Sequence, residues 1–145
     1  MKYYLDSCIW LNLFKKEGDS RKGKPYWEIA RDFIDKTISW DNSEIVYSKI
    51  VLREIEFKLK DKNVFTKSKS VLEREIKPRL MRIETRDYIF ARKLESELKY
   101  ELSFYDCMHI AICKRLNLIL VTRDKDLIKF AGKYIIVKKP EQLII

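Results

Sequence analysis

Four acidic residues in this chain stand where an apolar run ends or a helical pattern begins. Asp6 closes the run Met1-Lys-Tyr-Tyr-Leu5, and Glu54 sits in Ser48-Lys-Ile-Val-Leu-Arg-Glu54-Ile. Asp106 opens the apolar stretch Asp106-Cys-Met-His-Ile-Ala-Ile-Cys113, and Asp124 follows Leu118-Ile-Leu-Val-Thr122 as Thr122-Arg-Asp124-Lys-Asp126. Clustered carboxylates hold hard divalent cations through oxygen. Each of these residues also has an ordinary structural use. Asp6 or Ser7, Asp124 or Asp126 could cap the helix that follows, Asp106 could face a helix dipole, and Glu54 could be a solvated helix residue. The metal reading gains because all four fall on one edge of the expected sheet. Glu54 is the one least forced by local structure.

If the four side chains converge, mutual repulsion raises at least one pKa, and a bound cation relieves it. Mg²⁺ takes one or two carboxylates directly, keeps several waters and reaches substrate phosphate oxygens. There it polarises a phosphodiester and acidifies an attacking water. His109, the single histidine, follows Asp106 by three and shares its helix face. It could touch the site or be a packed, hydrogen-bonded helix residue. A lone histidine argues against acid–base catalysis by two imidazoles. Neither a Gly-rich phosphate loop nor a GxSxG elbow is present.

The elements that must position these acids alternate between strand and helix. Lys2–Leu5 reads as a first strand and Ser7–Lys15 as a helix. A polar loop over 17–24 leads to a helix with Pro25 in its first turn, and Asp41-Asn42-Ser43 breaks that helix. Glu44–Tyr47 is a second strand, and Ser48 is an N-cap for a helix to about Lys60. A basic helix over Lys62–Glu75 ends before Pro78. Leu80–Ile83 reads as a third strand, and Thr85 caps a helix over 86–99. Ser103 and Asp106 have capping-box form, opening a buried helix from Tyr105 to Leu116. Leu118–Val121 is a strand, 126–131 a short helix closed by Gly132, and Tyr134–Val137 a last strand. This alternation indicates α/β architecture: a central, mostly parallel sheet covered on both faces. In such sheets ligands bind beyond the strand carboxyl ends, where strand order reverses.

The 145 residues fit one domain, with 46% hydrophobic and 37% charged content typical of a packed globular chain. The net charge of +9 suits a phosphate-backbone partner, or it is an ordinary lysine-rich surface. From Lys58 to Arg82, nine Lys or Arg stand against three Asp or Glu, a local excess of +6. Three cysteines without CxxC spacing carry no disulfide framework or zinc knuckle. Cys107 and Cys113 read as core. With no signal peptide or membrane span in view, a reducing, cytoplasmic location is expected. Trp10, Tyr26 and Trp40 are candidates for exposed rings that stack on bases, or are core.

Four pieces in order resemble the PIN domain family, and within it the VapC-type toxins of prokaryotic toxin–antitoxin pairs. They are Tyr4-Leu-Asp6-Ser-Cys-Ile-Trp-Leu, Ser48-Lys-Ile-Val-Leu-Arg-Glu54-Ile-Glu-Phe, Tyr105-Asp106-Cys-Met-His109-Ile-Ala-Ile-Cys and Leu120-Val-Thr122-Arg-Asp124-Lys-Asp126-Leu. Together they span nearly the whole chain. The resemblance implies a single three-layer α/β/α domain over 1–145 and a Mg²⁺- or Mn²⁺-dependent endoribonuclease. It implies that Asp6 and Asp106 hold the metal and that Glu54 and Asp124 complete the acidic site. Ser7 and Thr122 match positions that orient metal-bound water, and Asp126 and His109 are further candidates for supporting the site. A homodimer and a small antitoxin partner are implied as well. Leu127 stands where a Phe is common, and the basic segment 58–82 is long. That segment would mark an RNA groove or an antitoxin surface. A nuclease in RNA processing and an RNA-binding regulator that never cuts are the competing readings.

Overall fold

The structure, a computed structural model, describes residues 1–144. Five strands form one parallel sheet in the order β3-β2-β1-β4-β5. They are β1 (Lys2–Leu5), β2 (Glu44–Tyr47), β3 (Arg79–Leu80), β4 (Ile119–Val121) and β5 (Val137–Lys138). Among the described residues seven α-helices connect them: α1 (Ser7–Phe14), α2 (Tyr26–Ser39), α3 (Lys49–Leu59), α4 (Lys62–Ser70), α5 (Thr85–Glu97), α6 (Phe104–Leu116) and α7 (Lys125–Ala131). The chain steps outward from β1 through β2 to β3, then crosses to β4 and β5 on the other side. Right-handed crossovers therefore place α1–α4 on one face of the sheet and α5–α7 on the other. The packing agrees, since α1 lies against α2 and α3, and α5 against α6. This is the expected three-layer α/β/α architecture.

A sheet covered on both faces needs strands that are apolar throughout rather than alternating. Tyr3, Tyr4 and Leu5, Ile45, Val46 and Tyr47, and Ile119, Leu120 and Val121 are all buried. Seven consecutive residues of α6, Cys107 to Cys113, are buried too, as its nearly continuous apolar composition requires. Outside the core, α6 is tied to α5 by Arg115, whose Nε and Nη2 donate to the two oxygens of Asp87 at 2.8 and 2.9 Å.

The boundaries differ from the sequence reading in places that have local causes. The third strand is Arg79–Leu80 rather than 80–83, because pairing with Val46 and Tyr47 ends where β2 ends. The last strand is Val137–Lys138 rather than 134–137, because the amides of Tyr134 and Ile135 still donate to Ala131 O after α7. The basic helix is interrupted: α4 stops at Ser70 and the chain continues as wider π-type turns over Val71–Ile76. Lys77 then takes a left-handed conformation (φ 56°) just before Pro78, whose ring disfavours helix at the preceding residue. Pro25 is the N-cap of α2 rather than its first helical residue. Glu84, not Thr85, precedes α5, and its amide donates to Asp87 Oδ2 at 2.8 Å. Ser103 caps α6 through the Asp106 amide at 3.1 Å. The loop over 17–24 contains one short 3-10 turn, Ser20–Lys22. Gly18 has φ +124°, and a side chain there would meet Tyr26 N at 2.4 Å, so only glycine fits.

No helix among the described residues is long and apolar enough to cross a membrane.

Candidate metal centre

Strand order reverses at β1, which pairs with β2 on one side and β4 on the other. The register aligns Leu5 with Val121, so Asp6 and Thr122 leave the sheet side by side. Here the backbone itself delivers the first two polar groups to one crevice.

Asp6 is 4% exposed and held on both oxygens. Oδ1 accepts from the Ser7 amide at 2.8 Å, and Oδ2 accepts from Thr122 Oγ1 at 2.8 Å and Cys8 Sγ at 3.3 Å. Burial and the charge of Asp6 push the Cys8 thiol up to about 12. Cys8 therefore remains a proton donor to Asp6 and is no thiolate ligand. Thr122 Oγ1 also accepts from the Asp124 amide at 3.1 Å, linking β4's end to the start of α7.

Glu54 projects from α3 and His109 from α6, and they meet at 2.5 Å between Oε1 and Nε2. An ionised carboxylate only accepts, so Nε2 carries the proton. On the other side of the ring, Nδ1 lies 2.7 Å from the Tyr4 hydroxyl, which lies 2.7 Å from Ser48 Oγ. Ser48 stands at the N-cap of α3, as expected, but its side chain makes no capping bond. Its hydroxyl is used by Tyr4, and no side chain caps α3. Burial lowers the His109 pKa, but the hydrogen bond and charge of Glu54, with Asp6 and Asp106, outweigh it, and the net shift is upward.

Asp106 lies in the first turn of α6, one turn before His109. Burial first, then the charge of Asp6, push its carboxyl up to about 6; His109 opposes this, while Glu54 and Asp124 add to it. Ligand atoms of Asp6, Glu54, Asp106 and His109 all lie within 4.8 Å of one another. Three of the four acids singled out in the sequence thus converge, joined by the histidine.

Asp124 lies differently. It is exposed and caps α7, with Oδ1 accepting from the amides of Asp126 at 2.9 Å and Leu127 at 3.1 Å. It stands outside the tight group of ligand atoms, although its charge reaches Asp106. Asp126 is exposed and enters through its backbone amide. Ser7 orients Asp6 through its amide, while its own Oγ is buried with no hydrogen-bond partner.

The residues fit a divalent cation. Three carboxylates gathered in a poorly solvated crevice repel one another, and burial with the charge of Asp6 pushes that of Asp106 up to about 6. An added positive charge removes that penalty. The orphaned Ser7 hydroxyl beside them is a group that a hydrated cation would satisfy. Both His109 nitrogens are already engaged, so oxygen from Asp6, Glu54 and Asp106 forms the natural donor set.

Sequence reasoning did not single out Tyr4 and Cys8. Strand alternation carries a signal for Tyr4, since residues two apart point to one side and Tyr4 precedes Asp6 by two. Of the three candidate stacking rings, Trp10 is fully buried, while Tyr26 and Trp40 are 48% and 50% exposed. Phe57 is more exposed than either, at 80%.

The model of the family described as PIN domain matches residues 3–133. No curated protein sequence matches the chain. Among solved structures, the fold is similar to VapBC2 from Rickettsia felis bound to a DNA fragment from their promoter. There the identity is 18%, covering 96% of this chain and 98% of that one, with a TM-score of 0.69. It is similar to a toxin–antitoxin complex from Klebsiella pneumoniae, at 20% identity over 95% of this chain and 97% of that one, TM-score 0.64. It is also similar to Mycobacterium tuberculosis VapC20, a sarcin-ricin loop cleaving toxin, at 16% identity over 88% of this chain and 93% of that one, TM-score 0.62. At these identities the likeness is one of fold.

Proposed function

The chain belongs to the PIN domain family, and from that premise we propose that it is a Mg²⁺- or Mn²⁺-dependent endoribonuclease, acting on single-stranded or structured RNA as the toxin of a type II toxin–antitoxin pair. The observation that carries this reading is the group of ligand atoms within 4.8 Å at the point where strand order reverses. A module that only binds RNA gains nothing from buried carboxylates facing phosphate, whereas a phosphodiesterase needs them.

When bound, the ion supplies charge for the scissile phosphodiester and lowers the pKa of an attacking water. Asp6, Glu54 and Asp106 hold it. Thr122, Cys8 and the Ser7 amide aim Asp6, and His109, braced by Tyr4, aims Glu54. Asp124 completes the acidic rim and secures the start of α7. The net +9 draws the polyanion towards this negative site. A small antitoxin, a homodimer and a cytoplasmic setting complete the proposal; VapBC folds among the structural neighbours support the antitoxin.

Induced expression beside an Asp6→Asn control tests the biological role. The parent arrests growth and the variant does not. Equal growth of the two would point to RNA processing. In vitro, cleavage of single-stranded RNA stops in excess EDTA; cleavage that persists would sink the metal mechanism.

A further inference from the structure

Asp6 leads into α1 and Glu54 sits on α3, so the faces these helices turn towards each other run directly away from the carboxylates. On α1 the facing residues are Cys8, Leu11, Asn12 and Lys15, at helical spacing from the site. On α3, Phe57 and Lys58 follow Glu54 by three and four, which places them on its face and about one 5.4 Å turn further on. Between these faces lies a cleft of about 370 Å³, lined also by Glu17 and Lys60.

Three features give this cleft a chemistry. The Phe57 ring is 80% exposed at its lip, with no protein ring contact among the described residues. Lys58 and Lys60 are exposed and make no ion pair among the described residues, whereas Lys15 is paired with Glu17 at 3.7 Å. Asn12 adds a polar group to the lining: its Nδ2 donates to Glu17 Oε1 at 3.2 Å, leaving Oδ1 as a buried acceptor that no protein donor satisfies. An exposed aromatic face flanked by unpaired cations, in a cleft whose wall includes Cys8, the donor to Asp6 Oδ2, matches what a stacked base and its phosphate require.

We propose that the α1–α3 cleft seats the nucleotide next to the scissile phosphate of single-stranded RNA. Phe57 is the stacking platform, and Lys58 and Lys60 are the backbone cations. The proposal rests on the nuclease reading above. It adds a binding subsite that neither the fold likeness nor the acidic site assigns. Stacking is indifferent to base identity, so this subsite contributes affinity and strand state, not sequence choice. A duplex cannot present an unstacked base to Phe57, so the cleft disfavours double-stranded RNA.

The test measures binding of a short fluorescently labelled single-stranded RNA to the full chain carrying Asp106→Asn, alongside cleavage by the parent. Adding Phe57→Ala weakens binding roughly 5- to 150-fold, the worth of one stacked base. Phe57→Trp restores it, with indole fluorescence quenched on binding; Phe57→Leu does not. The pair Lys58→Ala and Lys60→Ala lowers the slope of log affinity against log salt by about 1.4, at roughly 0.7 per lost single-strand phosphate contact. All three side chains are exposed, so these variants fold. If the parent cleaves RNA while Phe57→Ala, Phe57→Leu and the lysine pair bind as tightly as the Asp106→Asn protein, the cleft proposal is overturned and the nuclease reading stands. If the parent neither cleaves nor binds RNA, both fall together.

Discussion

His109 Nε2 and Glu54 Oε1 stand 2.5 Å apart, although their residues are 55 positions apart in sequence and belong to helices in different layers. The contact joins α6 to α3 across the carboxyl edge of the sheet. It sets the direction of the one acid that no strand end or helix cap would have fixed. The imidazole in turn is set by Tyr4, and Tyr4 by Ser48. A chain of four side chains thus reaches from the middle of the sheet to the candidate metal centre.

Removing the Tyr4 hydroxyl breaks that chain in the middle. Tyr4→Phe keeps the buried ring but strands His109 Nδ1 and Ser48 Oγ. We expect a loss of about 1–3 kcal/mol, the cost of buried groups without partners. Mn²⁺ affinity should weaken roughly tenfold or more, as it does when the support of a ligand is lost. Thermal denaturation reads the first and titration calorimetry the second. Unaltered Mn²⁺ affinity would mean that Glu54 needs no brace.

Asp106→Asn separates stability from function. It removes a carboxylate that burial and Asp6 hold at about pH 6, well above its ordinary value. The metal-free variant should be more stable than the parent at neutral pH by about 1–3 kcal/mol. It should also lose the rise in melting temperature that Mg²⁺ or Mn²⁺ gives the parent. A variant that melts lower than the parent without metal would show that this carboxylate is not in electrostatic conflict.

Stability of the metal-free protein should fall as pH rises. Asp106 has a raised folded-state pKa, so its contribution is complete below the ordinary carboxylate range and is lost as pH climbs through about 6. His109 is shifted upward too, so its contribution is present below the ordinary imidazole value and is lost through the higher folded one. Both act in the same sense. Metal reverses the trend, because protons compete for Asp106. Mn²⁺ affinity should drop by about tenfold per pH unit below about 6. Melting curves across this range, with EDTA and with saturating Mn²⁺, check both halves; parallel curves would refute the coupling.

Thr122→Val keeps the shape of a fully buried side chain but removes its hydroxyl. Asp6 Oδ2 loses a 2.8 Å donor and the Asp124 amide loses its acceptor. A loss of about 1–3 kcal/mol is expected, together with weaker Mn²⁺ binding. Thr122→Ser should recover most of the binding. Equal affinity in the valine and serine variants would remove Thr122 from the site.

Local pattern made much of this protein legible before any coordinates. The branched and aromatic runs at residues 3–5, 45–47 and 119–121 read as strands buried on both faces. Asp6 had to follow the first of them, and Asp106 had to open the apolar helix. Hydrophobic period and turn chemistry are properties of neighbouring residues, so they are written in the chain. Distances between elements are not. Asp124 carried a helix-cap alternative in the sequence, and Glu54 was the acid least forced by local structure. The crossing of α3 and α6 brought Glu54 onto His109, while the short turn after β4 committed Asp124 to capping α7. Ser48 holds the N-cap position its type suggested, but Tyr4 on the neighbouring strand takes the hydroxyl that would have made the capping bond. Which carboxylate meets a partner across the sheet depends on how the layers pack, and that geometry is settled only when the whole core is assembled.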